Sequence, residues 1–523
     1  MARMLEKRGV LNGAAWLTLA ALFVKFMGLM YKIPLAYILT DEGMGYYNAA
    51  YTIYSLLYLL GSAGVPKALT VMISGCMTDS EREKQKIFMV ARRFFAAFGL
   101  FLFLILLLLS HRISFWIGSP DSYPTILMIC PCLLFVSITG VYRGYLTAEG
   151  DFSSTAVASI LEACSKLVFG IFFVKLAQMF GLPLPWICAF AVLGICAGAF
   201  LSVLYLNISI KNKNKGYIKE QFSKSEKIKI IKSILYIAIP ITLGSLAAGI
   251  SSLIDLSMIM KRLETGGLSI KEATAVYGNY TALAVPMLQL SNALLAPVSV
   301  VLLPRLVSAY AKKDREEYAS VLRFGGEVSA FLSVPLAAIF FFLPEQLLCI
   351  IFPKASAQSA APLLRILAVG VIFLAVLFIV NSALESIGAA KMQMLSMLIG
   401  ILVKIPVSYF LLSDSIYGIK GAPIGTVASY AVSFLFSYFC FSKFCGNSEG
   451  LLASYRLPCF NTFISLLLSF FTAYFLRDMK IERVKCMLLL VAFGIAYITL
   501  SYFTGALRFL KNENVAKGTK GIA

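Results

Sequence analysis

Charge is scarce in this chain. Asp, Glu, Lys and Arg make up 14% of its 523 residues, against roughly 25% in soluble domains. That shortfall excludes a soluble protein, and long apolar runs stand where the charge is missing: 59% of the residues are hydrophobic and the mean hydropathy is +0.85. The runs are continuous rather than alternating, which excludes an outer-membrane barrel. Histidine occurs once, at His111, leaving no basis for a histidine metal site. No G-x-x-x-x-G-K-[ST] loop is present, so ATP does not drive transport from within this chain. A nucleophile elbow, an H-E-x-x-H motif and a polar stretch long enough for a catalytic domain are also lacking. The expectation is a non-enzyme with no catalytic residue, cofactor or metal. Cysteine is not scarce, at eleven residues, but these fall mostly within apolar runs and form no C-x-x-C pair. Cys130 and Cys132 are the tightest cluster, and the cysteines read as small buried hydrophobes rather than disulfides or zinc ligands.

What is present is an all-α integral membrane protein. Apolar runs of about 18 residues or more number about 14, at 10–39, 45–75, 87–109, 122–147, 153–177, 184–210, 229–260, 274–304, 322–343, 361–387, 391–413, 417–441, 458–476 and 484–509. The first follows Arg3, Lys7 and Arg8, as a signal peptide would, but it is too long and lacks a small-residue cleavage site, so it reads as a retained span. With the N-terminus inside, alternate loops and the termini hold roughly 29 Lys and Arg against about 12 on the other side. Both termini are therefore expected in the cytoplasm, with the chain in the cytoplasmic membrane. The same asymmetry accounts for the net charge of +20 without a nucleic-acid partner.

A repeat is visible across the basic stretch 211–232. Tyr46, Asn48 and Pro66 match Tyr277, Asn279 and Pro297 at one constant offset. Leu146, Gly150 and Lys166 match Leu384, Gly388 and Lys404 at another. Two six-helix copies follow: an N-lobe (1–210), a cytoplasmic linker (211–232), a C-lobe (233–442), and an addition of two spans and a tail (443–523). Six spans is an even number, so both copies run the same way about an axis along the membrane normal. Such a pair encloses a cleft, and rocking one lobe against the other gives alternating access.

Ionisable residues inside the spans mark the candidate site, because a charge at mid-depth costs roughly 3 kcal/mol or more. Lys25 and Lys32 lie seven residues apart in the first span and project from one stripe with Thr18 and Gly28; snorkelling competes as a reading, more for Lys32 than for Lys25. Lys67 follows Pro66 in the second span and also has a snorkelling reading. Glu162 and Lys166, four apart, are spaced to pair on one helix face. Asp255 and Lys404 form a second expected pair, the ammonium taking a place where a metal cation would otherwise bind. Tyr46, Tyr47, Tyr51, Tyr54 and Tyr58 form a wall suited to sugars or simply to packing. Cations outnumber acids in the first lobe, which points to an anionic substrate.

The run VKFMGLMYKIPLAYILTDEGMGYYNAAYTIYSLLYLLGSAGVPKAL and the block RGYLTAEGDFSSTAVASILEACSKL resemble the polysaccharide-transport branch of the multidrug/oligosaccharidyl-lipid/polysaccharide flippase superfamily, including its sporulation and Gram-positive lipid II members. The resemblance implies a V-shaped two-lobe flippase that exports an undecaprenyl-pyrophosphate-linked precursor of cell wall or polysaccharide, driven by membrane potential or an ion gradient. It also implies a monomer whose partners are that lipid-linked oligosaccharide and membrane lipids. In the family, basic residues of the first span contact pyrophosphate, and Lys25 and Lys32 align with them as Lys in place of Arg, so a bidentate grip becomes a point charge. Lysine, asparagine and acid positions at Asn48, Lys67, Glu162, Lys166 and Asn279 complete the candidate substrate set. Where lipid II flippases carry an arginine early in the eighth span, this chain has Asn279-Tyr280-Thr281. Asp255 and Thr426 match residues that hold sodium in some relatives, but Lys404 intrudes. Two other readings stay open: a multidrug/cation antiporter of the same superfamily, which would need cavity carboxylates, and a non-transporting membrane scaffold.

Overall fold

The computed structural model describes residue 20 and residues 23–74, 81–213, 223–414, 416–445, 453–476 and 482–507. All regular structure among them is helical. Twelve helical stretches among the described residues are long and apolar enough to cross a membrane. The first expected span, 10–39, is helical over residues 23–38 (α1), its earlier part lying largely outside the described residues.

The chain forms two compact units, Met1–Lys261 with Leu268–Gly278, and Arg262–Gly267 with Asn279–Ala523. In the first, α1 is followed by α2 (Thr40–Ser62), α3 (Gly64–Ser74), α4 (Glu81–Trp116), the short α5 (Tyr123–Ile129), α6 (Cys132–Ala148), α7 (Phe152–Met179), α8 (Leu184–Lys213) and most of α9 (Lys224–Thr265). The break between α2 and α3 at Ala63 has a covalent cause: Pro66 has no N–H to give the carbonyl of Ser62. Helix α6 packs closely because Gly140 meets the carbonyl of Gly61 and Gly144 meets Pro66. Val65, Leu69, Phe88, Phe95, Tyr142, Tyr145 and Leu146 form the buried core here.

The second unit holds α11 (Val285–Ala311), α12 (Arg315–Phe342), α13 (Pro344–Ile351), α14 (Lys354–Ser386), α15 (Ala390–Ser413) and α16 (Gly421–Cys445). A π-helical turn, Tyr280–Ala284, links α10 (Ile270–Asn279) to α11. Two further helices, Arg456–Phe475 and Glu482–Phe503, are joined by Asn461, whose amide donates to Ser501 and Thr504. Tyr497 ties them to α12 by donating to the Phe331 carbonyl at 2.9 Å.

Some of the residue pairs matched in the repeat share local structure, although Pro66 stands just after the break that begins α3 and Pro297 lies inside a continuous helix, Val285–Ala311. Gly150 and Gly388 both adopt left-handed backbone, φ +74 and +80. In each case the next residue's N–H returns to the matched leucine carbonyl, Asp151 to Leu146 at 2.8 Å and Ala389 to Leu384 at 2.9 Å. This is a Schellman ending, which needs a residue without a Cβ penalty at the left-handed position. Asp151 then caps α7, its carboxylate accepting from the Ser154 N–H at 3.0 Å, and supplies an orphan donor of the new helix with a partner. Tyr46 and Tyr277, and Asn48 and Asn279, are all buried.

Candidate substrate-binding site

A gathering of half-buried charged and buried polar side chains lies in the first unit, where α1, α2, α6 and α7 supply them. Lys32, half-buried on α1, donates through Nζ to Asn48 Oδ1 at 3.5 Å. Asn48 is held in turn by its amide bond to the Met44 carbonyl at 2.8 Å. On the adjoining turn, Tyr31 is fully buried and its hydroxyl donates to the Ala191 carbonyl at 2.6 Å. Gly170 on α7 is required here, since a side chain at that position would strike the Tyr31 ring. The ammonium of Lys166 sits 5.2 Å from the Tyr31 ring centroid and 4.9 Å from that of Tyr51, within cation–π range of both. Lys32 and Lys166 are electrostatic neighbours.

Aromatic rings continue the wall. Tyr31, Tyr47, Tyr51, Tyr54 and Tyr58 follow one another with centroid separations of 6.1, 6.0, 6.0 and 5.7 Å. The spacing 47, 51, 54, 58 places four of them on one stripe of α2. At the far end of the row a cavity of about 240 Å³ is lined by Tyr58, Ser62, Thr139, Arg143 and Glu162 among others.

One expected pairing is corrected. Glu162 does not bridge to Lys166 on its own helix; its Oε2 accepts from Arg143 on α6 at 2.8 Å. Spacing of four permits an intrahelical pair but does not compel one. The guanidinium of the neighbouring helix offers a forked donor to Glu162, while Lys166 turns to the tyrosine faces. Arg143 is a member of the cluster that the candidate set omitted, although it falls inside the expected span 122–147. It lies within α6 between Gly140 and Gly144, and the apolar run that continues to Leu146 was the available signal. Its Nε is buried without a hydrogen-bond partner.

The remaining candidates stand outside this cluster. Lys25 is exposed on α1, and Gly28, on the same stripe, has nothing within 4 Å of where a Cβ would stand. Lys67 is exposed on α3. Asn279 belongs to the second unit, where its amide donates to Ser359 at 3.3 Å. Asp255 and Lys404 are each half-buried, the first in one unit and the second in the other. Only Lys32, Asn48, Glu162 and Lys166 of the expected set are gathered in this cluster, joined by Tyr31, Tyr51, Tyr58 and Arg143.

The multi-pass helical fold has counterparts among solved membrane transporters. The fold matches the lipid II flippase MurJ in an inward closed conformation with a TM-score of 0.71 and 17% identity, covering 94% of this chain and 99% of that one. It also matches an inward-facing multidrug resistance MATE transporter of the MOP superfamily, with a TM-score of 0.62 and 15% identity over 82% of this chain and 96% of that one. The chain belongs to the polysaccharide biosynthesis protein family, whose profile matches residues 10–310; the MatE profile matches residues 240–410. Among curated relatives, stage V sporulation protein B of Bacillus subtilis (strain 168) is 22% identical over 81% of this chain and 82% of its own length. The lipid II flippase MurJ of the same organism is 22% identical over 85% and 84%.

Proposed function

We propose that this protein is an alternating-access flippase that carries a lipid-linked anionic precursor of cell wall or polysaccharide, of the undecaprenyl-pyrophosphate class, across the cytoplasmic membrane. The observation that carries the reading is the excess of cations over acids in the first unit's cluster. Lys32, Lys166 and Arg143 stand beside a single carboxylate, Glu162, which Arg143 already engages. Positive charge gathered in a low-dielectric surround is stabilised when an anion shares it. A pyrophosphate supplies that anion, and the tyrosine row supplies flat amphipathic faces against which sugar rings pack. Lys25 and Gly28 extend the stripe beyond Lys32, in the position of a first contact. The name of one relative, lipid II flippase, supports the same cargo class. We further propose a monomer that carries no catalytic group of its own, with both termini in the cytoplasm.

The test is flipping of a fluorescent undecaprenyl-pyrophosphate-linked saccharide in proteoliposomes of the full chain. Each hydrogen bond to a charged group is worth about 1.5–3 kcal/mol, so Lys32→Ala and Lys166→Ala are each expected to weaken capture by about 10- to 100-fold. Undiminished flipping in the double variant at normal membrane level would overturn the reading. The MatE match over 240–410 favours one rival, a drug/cation antiporter, and efflux of a lipophilic cation by the same vesicles would decide for it.

A further inference from the structure

The start of α9 is built with care. Ser223 and Glu226 form a reciprocal capping box, the Ser223 N–H donating to Glu226 Oε2 and the Glu226 N–H to Ser223 Oγ, both at 3.2 Å; two orphan donors of the helix start are satisfied this way. The other carboxylate oxygen of Glu226 receives Lys86 of α4 at 2.7 Å, so the same residue pins α9 to α4. Just beyond that pin a groove of about 250 Å³ opens between the two helices. Its walls are Met89, Val90 and Phe94 from α4 and Ile231 from α9, and its two polar members are Arg93 and Lys227. The spacing 89, 90, 93, 94 on one helix and 227, 231 on the other puts all six on facing stripes. Neither Arg93 nor Lys227 has an acidic partner among the described residues, although Lys86 and Lys84 nearby each have one.

The position of the groove along the helices matters as much as its lining. Helices of 36 and 42 residues extend about 54 and 63 Å, well beyond the hydrocarbon thickness of about 30 Å. Lys227 falls just before the apolar run 229–260, and Arg93 stands within the first two turns of the run 87–109, from which its long side chain reaches the interface, on the side whose loops carry the excess of Lys and Arg. This is the depth of the phospholipid headgroups, and anionic headgroups attract juxtamembrane basic residues. The volume is below the roughly 300–1,000 Å³ of pockets that enclose a whole small molecule. One end of an amphiphile fits it.

We infer that this groove is a binding site for an anionic glycerophospholipid of the surrounding leaflet, the phosphodiester bridged by Arg93 and Lys227 and the first part of an acyl chain lying on Met89, Val90, Phe94 and Ile231. The lipid serves as a clamp between α4 and α9 beside the Lys86–Glu226 pair. This site is separate from the cluster around Lys32 and Lys166 and does not depend on which cargo is carried.

The experiment compares the thermal midpoint of the purified full chain in phosphatidylcholine nanodiscs with and without phosphatidylglycerol. The wild type is expected to gain stability from phosphatidylglycerol, and Arg93→Gln with Lys227→Gln is expected to lose most of that gain. Lys224→Gln with Lys229→Gln removes the same charge from the exposed face of the same helix and is expected to keep it. The inference falls if the Arg93/Lys227 variant retains the wild-type gain, if the control pair loses as much, or if inorganic phosphate alone reproduces the effect. A diazirine-bearing phosphatidylglycerol on the unaltered protein gives an independent reading free of any folding defect. Crosslinks within 86–97 support the site, and crosslinking that spares this segment overturns it.

Discussion

Glu162 decides how the first unit's charges are arranged. It has two cations within reach of its helix face or its neighbour, and it takes Arg143, leaving Lys166 to the rings of Tyr31 and Tyr51. Removing one member of a fully buried pair costs about 3–5 kcal/mol, because the other charge is stranded. Here the two side chains keep 19% and 23% of their exposure, so water relieves part of the loss and Glu162→Gln is expected to cost about 1–3 kcal/mol. Replacing both, Arg143→Met with Glu162→Met, is expected to be milder than either single change, as read by thermal unfolding in detergent. A double variant no more stable than the worse single one would mean that the pair is not the unit of stabilisation. The sequence made the intramembrane charges legible, since any Lys or Glu in an apolar run stands out. It did not make their partners legible. An i,i+4 spacing lies within one helix and can be read from the chain, whereas the contacts Arg143–Glu162 and Lys166–Tyr31 join residues brought together only by packing of α1, α6 and α7.

Helices follow the hydropathy pattern closely because each must be long enough to cross the apolar layer, and their ends fall where polar residues, glycine or proline appear. The largest departures are extensions: α4 begins at Glu81 and ends at Trp116, against the apolar run 87–109, and α9 runs 42 residues. At the start of α9 capping explains the extension better than hydropathy does. Ser223 with Glu226, and Ser269 with Glu272, close reciprocal boxes at the starts of α9 and α10, and apolar counting is blind to polar residues that begin a helix. The repeat is the element-level feature read most directly, because its matched glycines have a backbone reason to persist. Gly150 and Gly388 both stand in left-handed conformation with nothing within 4 Å of an added Cβ. An alanine there meets no neighbour, and its cost is the steric strain of a Cβ on left-handed backbone, about 1–2 kcal/mol. Gly150→Ala and Gly388→Ala are therefore each expected to lower stability by about that amount. Asparagine at the same positions should lose less, since its short polar side chain tolerates this backbone. A much larger loss in one variant than in the other, measured by denaturant or thermal unfolding, would show that the two turns are not equivalent.

Across the molecule, cations are unevenly shared among the loops, and the unevenness bears on which way the chain lies in the membrane. Two clusters of Lys and Arg stand at the starts of α9 and α12, with Lys224, Lys227, Lys229 and Lys232 in the opening turns of α9 and Arg305, Lys312, Lys313 and Arg315 on the approach to α12. Both belong to the alternate set of loops that also holds the N-terminal Arg3, Lys7 and Arg8. Short loops rich in these residues remain on the cytoplasmic side because carrying each cation across is opposed by the membrane potential and by the translocation machinery's bias. Two exposed positions on opposite sets of loops separate the two orientations: Ser225 at the start of α9, and Lys420 in the turn before α16. A membrane-impermeant maleimide added to intact spheroplasts is expected to label Lys420→Cys above the level of the parent chain and to leave Ser225→Cys at that level. Permeabilised cells should then label both. If Ser225→Cys reacts from outside, the N-terminus and the basic stretch face outward, the lipid groove between α4 and α9 lies in the other leaflet, and the proposed direction of cargo entry reverses with it. Labelling of both positions in intact cells would instead mean that neither loop is sheltered, and the loop-charge assignment of sides would have to be abandoned.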